Sequence, residues 1–438
     1  MRDGEQDGVA SWGARRLGEF ATLVKGISYS SDQYCEPGEG AEFITIKCVA
    51  KAGGFRPSGI KYYKGPVRPE ELLREGDLLI ANTDLTRAGD IVGCPVAVPG
   101  LVGPQVTMSM DLSKLVINEE VVDPRFLYHR LMLGDARSFM REHSSGSTVL
   151  HLKTSMVPRL QVTLPASTVE QRCVARVLDT LDTTIRQTEA IIEKLKQVKQ
   201  GMLHDVLTRG VDANGELRPP QSKAPHLYKD SPLGWMPREW TASSIDAACS
   251  DVIDCPHSTP GFRDDGVLVA RTMHIKAGVF LERLASRVSE AEYRERIARL
   301  RPEPGDVVFT REAPVGEAFV IPTGMRICLG QRVMLLRPRP EVVLGQFLIA
   351  QIYSGAVADR IAALTAGTTN PHLNVAEVRQ FVLPLPPLRE QTLIQQQLGG
   401  LDHSIAVEGM ERDKLLIVKA GLMDDLLTGR VRVTPLLA

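Results

Sequence analysis

No CxxC pair occurs anywhere in the 438 residues, although seven cysteines are present, at 35, 48, 94, 173, 249, 255 and 328. Their odd number and wide scatter exclude a zinc ribbon or paired redox motif and fit reduced, buried thiols. Long hydrophobic runs are missing too. The most apolar long window, Leu344 to Leu364, carries Asp359 and Arg360 and falls short of the roughly 20 apolar residues that a bilayer span needs. The opening MRDGEQDG is acidic and glycine-rich where a secretory signal would be basic and then apolar, so a cytoplasmic location is expected. Catalytic signatures are equally scarce: there is no GxxxxGK followed by Ser or Thr, no GxGxxG, no HExxH and no GxSxG. Asn370-Pro-His372 begins like the loop of an amino-methyltransferase but lacks the second proline and the aromatic that would stack on a flipped base. Excess charge of one sign is absent as well. A formal net charge of -1 excludes a uniformly basic coat for nucleic acid and leaves room for local patches.

What is present is an ordinary globular composition, 43% hydrophobic and 24% charged, which excludes wholesale disorder. The length implies about two or three domains. A long internal repeat defines them. Gly146-Ser-Thr-Val-Leu-His-Leu152 recurs as Gly367-Thr-Thr-Asn-Pro-His-Leu373, and Val162-Thr-Leu-Pro165 as Leu383-Pro-Leu-Pro386, 221 positions on. After a one-residue deletion the offset becomes 220: Glu170-Gln171 matches Glu390-Gln391, Leu181-Asp182 matches Leu401-Asp402, and Gly201-Met-Leu-His-Asp-Val-Leu-Thr208 matches Gly421-Leu-Met-Asp-Asp-Leu-Leu-Thr428. Upstream, Trp12 with Val24 answers Trp240 with Val252, and Glu75-Gly-Asp-Leu-Leu79 answers Pro304-Gly-Asp-Val-Val308. The chain is a tandem duplication, each copy a globe of about 150 residues followed by a helical arm.

The arms declare themselves by period. Val174, Leu178, Leu181, Ile185, Ile192, Leu195, Met202 and Val206 follow alternating four- and three-residue steps, interrupted by Thr188 and Lys199. In the second arm Ile394, Leu398, Leu401, Ile405, Leu415, Leu422 and Leu426 keep the same frame, with Glu408, Arg412 and Lys419 as exceptions. A helix from Glu170 to Leu207 is about 57 Å long and must cover its apolar stripe, most simply with the other arm. Between the copies, Pro219, Pro220, Pro225, Pro232 and Pro237 exclude a continuous helix. The expected plan is globe one over 1–165, an arm over 166–209, an extended connector over 210–240, globe two over 241–386, a second arm over 387–429 and a tail over 430–438. Antiparallel pairing of the arms would give an α+β molecule in which a coiled coil of two long helices separates two mixed α/β globes with pseudo-twofold symmetry. Such a seam is structural, and the functional question falls on the globes.

Charge within the globes is uneven. Lys47, Lys51, Arg56, Lys61, Lys64 and Arg68 stand against Glu42 and Glu70 between 41 and 70, and five arginines stand against Glu312 and Glu317 between 311 and 339. Arg, Asn and Gln can read base edges, whereas lysines and hydroxyls hold phosphates. Candidate DNA contacts in globe one are Lys47, Asn82, Thr83, Arg87, Ser147, Thr148 and His151. In globe two they are Arg271, Thr310, Arg311, Gln331, Arg332, Thr368, Thr369 and His372. The hydroxyl-rich turns at 146–152 and 367–373 serve equally as phosphate cradles or as capped junctions between globe and arm. Solvated charged loops would look similar. Cys255-Pro-His257 has no orienting Asn or oxyanion motif beside it, and a packed pair is the better reading there. No metal site is indicated.

The arrangement globe, long helix, globe, long helix resembles the specificity subunits of Type I restriction-modification systems. The residues that carry the likeness are Leu385-Pro-Pro-Leu-Arg-Glu-Gln391 opening one arm, Gly421-Leu-Met-Asp-Asp-Leu-Leu-Thr-Gly429 closing it, the connector from Leu207-Thr-Arg-Gly210 to Trp240, and Asp254-Cys-Pro-His-Ser-Thr-Pro260. The likeness covers nearly the whole chain and is loosest in globe one, where Asn82-Thr-Asp-Leu-Thr-Arg87 stands in place of Arg311-Glu-Ala-Pro314. It implies that each globe is a target recognition domain for one half of a split, asymmetric double-stranded DNA sequence. The arms would then set the gap between halves, near one helical turn, and dock two DNA methyltransferase (modification) subunits. By the same likeness the partners would supply S-adenosylmethionine for N6-adenine methylation, and restriction motor-nuclease subunits would bring ATP- and Mg-dependent translocation and cleavage. This chain would catalyse nothing itself. A coiled-coil adaptor with two protein-binding globes is the alternative from another class.

Overall fold

The computed structural model describes residues 12–433 apart from 52, 87, 101, 102 and 104. The chain divides into two compact units, Met1–Glu189 with Met410–Ala438, and Ala190–Gly409. Both divisions fall inside the arms. The first arm is one helix, Thr168–Thr208, and the second is another, Leu388–Leu427.

In the first unit the main sheet has the order Ala21–Lys25, Leu112–Ile117, Leu78–Ala81, Pro95–Ala97, with every neighbour antiparallel. Leu78–Ala81 is buried at all four positions, which is why its sequence is an unbroken apolar run and not an alternation. A smaller sheet pairs Ala41–Ile44 antiparallel with Lys61–Tyr63 and parallel with Val106–Met108. The strand that opens the globe, Trp12–Arg16, lies antiparallel to the strand that closes it, Gln161–Pro165, so the arm leaves beside the point of entry.

The second unit repeats this plan. Its main sheet runs Cys249–Asp254, Val333–Pro338, Val307–Arg311, Val315–Val320, again antiparallel throughout. Val267–Ala270 runs parallel to Ile327–Leu329, and Thr241–Ser244 pairs with Val382–Leu385. The Gly-Asp echo proves to be a turn before each central strand. Gly76 (φ 86°) and Gly305 (φ 94°) take the left-handed conformation that L side chains avoid, and Asp77 and Asp306 each accept a backbone N–H 2.8 Å away, from Arg74 and Glu303.

The arms are antiparallel within each unit. In the first, Glu170 meets Arg432 and Asp182 meets Lys419, so a step up one chain is a step down the other. In the second, Lys199 meets Asp402, and the backbone N–H of Val211 donates to Glu390 at 2.9 Å. No seam residue is exposed. Val174, Leu178, Ile185, Ile192, Val206, Ile394, Leu398 and Leu426 are buried, and Leu181, Leu195, Met202, Leu401, Ile405, Leu415 and Leu422 are half-buried. The seam also does more than pair helices. Val174, Leu178 and Leu426 pack into the core of the first unit with Leu17, Phe126 and Leu164, and Val206, Ile394 and Leu398 pack into the second with Phe347, Val378 and Leu385. Among the described residues no single helix is long and apolar enough to cross a membrane. The apolar window flagged at 344–364 is the pair Gly345–Tyr353 and Ala356–Thr365, whose Phe347, Leu348, Ile352, Val357 and Ile361 belong to that core.

Candidate nucleic-acid interface

The loop after Cys249–Asp254, the bend after Val307–Arg311, the turn before Val333–Pro338 and the segment ahead of the second arm meet in globe two. Arg311, Gln331 and Arg332 line a cavity of ≈ 190 Å³ together with Cys255, His257 and Glu312. Arg311 is nearly buried, its Nε 3.0 Å from Asp254 Oδ1 and its Nη1 3.4 Å from the carbonyl of Leu373. Glu312 lies 3.4 Å from Arg332 Nε and 3.1 Å from His372 Nδ1. Gln331 Nε2 donates to the carbonyl of His257 at 2.7 Å. The side chains that remain open are those of His257, Arg332 and His372, 72%, 57% and 50% exposed. A rim of one guanidinium and two imidazoles over two tethering acids can meet phosphate or base acceptors while the tethers reduce the side-chain freedom lost on contact.

Of the other candidates in globe two, Arg271 stacks 4.5 Å over the exposed ring of Phe262 and donates to Ser286 Oγ at 3.2 Å, which holds the guanidinium in place. Thr310 is fully buried, and its Oγ1 accepts the backbone N–H of Glu317. It is a sheet residue. Thr368 and Thr369 are exposed, and Thr368 Oγ1 donates to the Thr365 carbonyl at 2.7 Å, at the end of the helix Ala356–Thr365. The positive run at 311–339 overstates the open charge, because Arg337 is bonded to Asp306 at 2.8 and 2.9 Å and Arg326 to Glu290 at 2.8 Å.

Globe one is built to the same plan with other side chains. Thr83–Asp84, Leu150–Leu152 and Ser144–Ser145 form a three-stranded ribbon, which places His151 opposite Thr83. Asn82 is buried, its Nδ2 donating to the Met110 carbonyl and its Oδ1 accepting from Ser113 Oγ, both at 3.1 Å, so it pins a turn. Thr83 Oγ1 donates to Asp111 Oδ1 at 3.0 Å. Lys47, Ser147, Thr148 and His151 are exposed. Arg87 lies outside the described residues.

Several residues that hold these surfaces escaped the sequence reading. Asp84 is fully buried and accepts backbone N–H groups of Thr86, Ile91 and Val92. Arg296 ties the 254–260 loop to the strand Ile327–Leu329 through the carbonyls of Ser258, at 2.7 Å, and Leu329, at 3.0 Å. Asp254, Glu312 and Asp111 complete the set. Asp111 could have been found, because it stands 221 positions before Arg332, the offset already established for the repeat. Cys255 is buried and its thiol pushed up by desolvation, which disfavours the thiolate a nucleophile needs.

The comparisons agree with this architecture. The family model of the Type I restriction modification DNA specificity domain matches residues 10–197 and 285–416. The MjaVIII specificity subunit of Methanocaldococcus jannaschii is 22% identical, covering 96% of this chain and 93% of that protein. The EcoBI specificity subunit of Escherichia coli is 22% identical over 89% of this chain and 79% of its own length. Among solved structures, the S subunit of a Type I system from M. genitalium superposes with a TM-score of 0.56 at 12% identity, covering 96% of this chain and 97% of that one. A chain from a study of assembly and conformational transition in the type I R-M system gives 0.53 at 18% identity, over 96% of this chain and 98% of that one. With the family model spanning well over half its length and two copies of one globe-and-arm plan in its fold, this chain belongs to the Type I restriction-modification DNA specificity family.

Proposed function

We propose that each globe reads one half of a bipartite, asymmetric double-stranded DNA target and that the arms set the spacing between the halves and dock two DNA methyltransferase subunits. One observation carries this reading: the two globes share a backbone plan, while the side chains at matching surface turns differ, as two readers of different half-sites require. Chemistry then belongs to the partners. Methyltransferase subunits would bring S-adenosylmethionine for N6-adenine methylation, and restriction motor-nuclease subunits would bring ATP and Mg. No catalytic step is assigned to this chain.

Single-molecule methylome sequencing of a host with and without the gene tests the reading. The expected result is one split adenine-methylation motif that disappears with the gene; an unchanged methylome overturns it. Binding of the assembled complex to that motif should also weaken steeply with salt, the slope growing by about 0.9 per phosphate contacted. Flat salt dependence would favour the protein-binding adaptor.

A further inference from the structure

The repeat makes a residue-by-residue comparison of the two reading surfaces possible. Ser109-Met110-Asp111 and Gly330-Gln331-Arg332 are the same turn in the two copies, each joining the strand of the parallel pair to a strand of the main sheet. The backbone confirms the match: Ser109 N donates to Ile44 O at 2.9 Å as Gly330 N does to Ala270 O at 2.8 Å, and Asn82 N donates to Asp111 O as Arg311 N does to Arg332 O. Close approach demands a small residue at the head of the second turn, since a Cβ on Gly330 would lie 2.7 Å from the carbonyl of Ala270.

The chemistry at the two tips is inverted. In globe one the tip carries an acceptor, Asp111, held by a donor, Thr83 Oγ1, at 3.0 Å, beside the exposed thioether of Met110. In globe two it carries a donor, Arg332, held by an acceptor, Glu312, at 3.4 Å, beside the carboxamide of Gln331. Thr83 and Glu312 are themselves matching positions, facing His151 and His372 in the two copies. Each tether leaves capacity over. The two hydrogen bonds recorded to Asp111, from Thr83 and Ser109, leave lone pairs on a group with about four, and the Arg332 contact with Glu312 is made through Nε.

We propose that these equivalent turns are the base-reading tips of the two globes, Asp111 selecting cytosine in the first half-site and Arg332 selecting guanine in the second. An aspartate accepts from the cytosine N4 amino group, an arginine donates to guanine O6 and N7, and neither pairing suits the other base. Gln331, anchored on the His257 carbonyl, reads the base next to that guanine. This rests on the bipartite DNA-reading function proposed above and adds the reading residue and its base for each half.

The test uses the full chain assembled with its methyltransferase subunits on a duplex library randomised through both half-sites, with methylation read by sequencing. Arg332→Ala should lower the preference for guanine at one position of the second half-site about tenfold or more and leave the first half unchanged. Asp111→Ala should do the same for cytosine at one position of the first half only. Arg332→Lys and the isosteric Asp111→Asn, which preserve the fold of each tip, should likewise lose the preference, and Arg332→Lys should keep the salt dependence of binding. Base preferences within twofold of the parent at every position for either substitution would overturn the proposal, and affinity falling uniformly with a smaller salt slope for Arg332→Ala would make Arg332 a phosphate contact instead. So would relaxation of both halves by one substitution. A parent complex with no split motif at all would instead remove the underlying function.

Discussion

A buried carboxylate is tolerated only where donors surround it, and Asp84 shows how such a residue organises a loop. Burial alone would raise its carboxyl, but the backbone N–H groups of Ile91, Thr86 and Val92 outweigh that and hold it below the usual range. With a folded value below the unfolded one, its contribution is present above about pH 3.9 and is lost as pH falls through the folded value. Asp84→Ala should therefore cost about 3 kcal/mol at neutral pH, by loss of charge-assisted hydrogen bonds and orphaning of buried donors. Denaturant titration checks this, and the gap between parent and variant should narrow below pH 4. The same logic explains why Asn82 and Thr310, attractive as DNA-facing residues on composition, are buried and hydrogen-bonded inside the fold. Residue type alone does not reveal which way a side chain faces.

At the scale of elements, the arms hold each unit together in two ways. Apolar seam residues sink into the globe cores, and the two lysines that interrupt the seam are paired with the other arm: Lys199 with Asp402, Lys419 with Asp182. These pairs stand at repeated positions, so the lysines that interrupt the heptad pattern follow a rule of their own. Leu178 is fully buried in the core of the first unit, and Leu178→Ala should lower stability by about 3 kcal/mol in denaturant unfolding, whereas Lys199→Ala should stay within about 1 kcal/mol of the parent.

A second element-scale device is a three-residue clasp at each arm's start. Trp240 Nε1 donates to both oxygens of Glu390 at 3.1 Å, and Arg218 grips the same carboxylate, with Nη2 3.0 Å from Oε2. Trp12 and Arg432 repeat this on Glu170 at 3.3 and 2.6 Å. Glu390→Ala would strand a largely buried guanidinium and should cost about 3–5 kcal/mol, read as a lowered unfolding midpoint; Arg218→Ala/Glu390→Ala together should cost less than the sum of the two singles.

Over the whole molecule, duplication is the governing fact: two units, each a globe with parts of both arms, carry the same strand order in the main sheet and the same clasp. Replacing residues 12–165 with the first globe of another family member should change one half-site of the methylated motif and leave the other untouched, as methylome sequencing would show. Change in both halves would mean that the globes do not read independently.

The tandem repeat, the two helical arms and the apolar seam could be read directly in the sequence, because a helix writes its burial into a short local period and a duplication writes itself into two matching registers. So could Glu170-Gln171 and Glu390-Gln391, though as a match without a role; the role appeared only when Gln171 and Gln391 were seen capping backbone groups of Asp123 and Leu344 in the same way. What only the tertiary structure decided is which polar residues face outward. Asn82, Thr83 and Asp111, or Arg311, Glu312, Gln331 and Arg332, come together from separate strands and turns, and the contacts that bury one of them and present its neighbour link residues tens of positions apart. No local period records such contacts, since they depend on how sheets and loops close over one another in three dimensions.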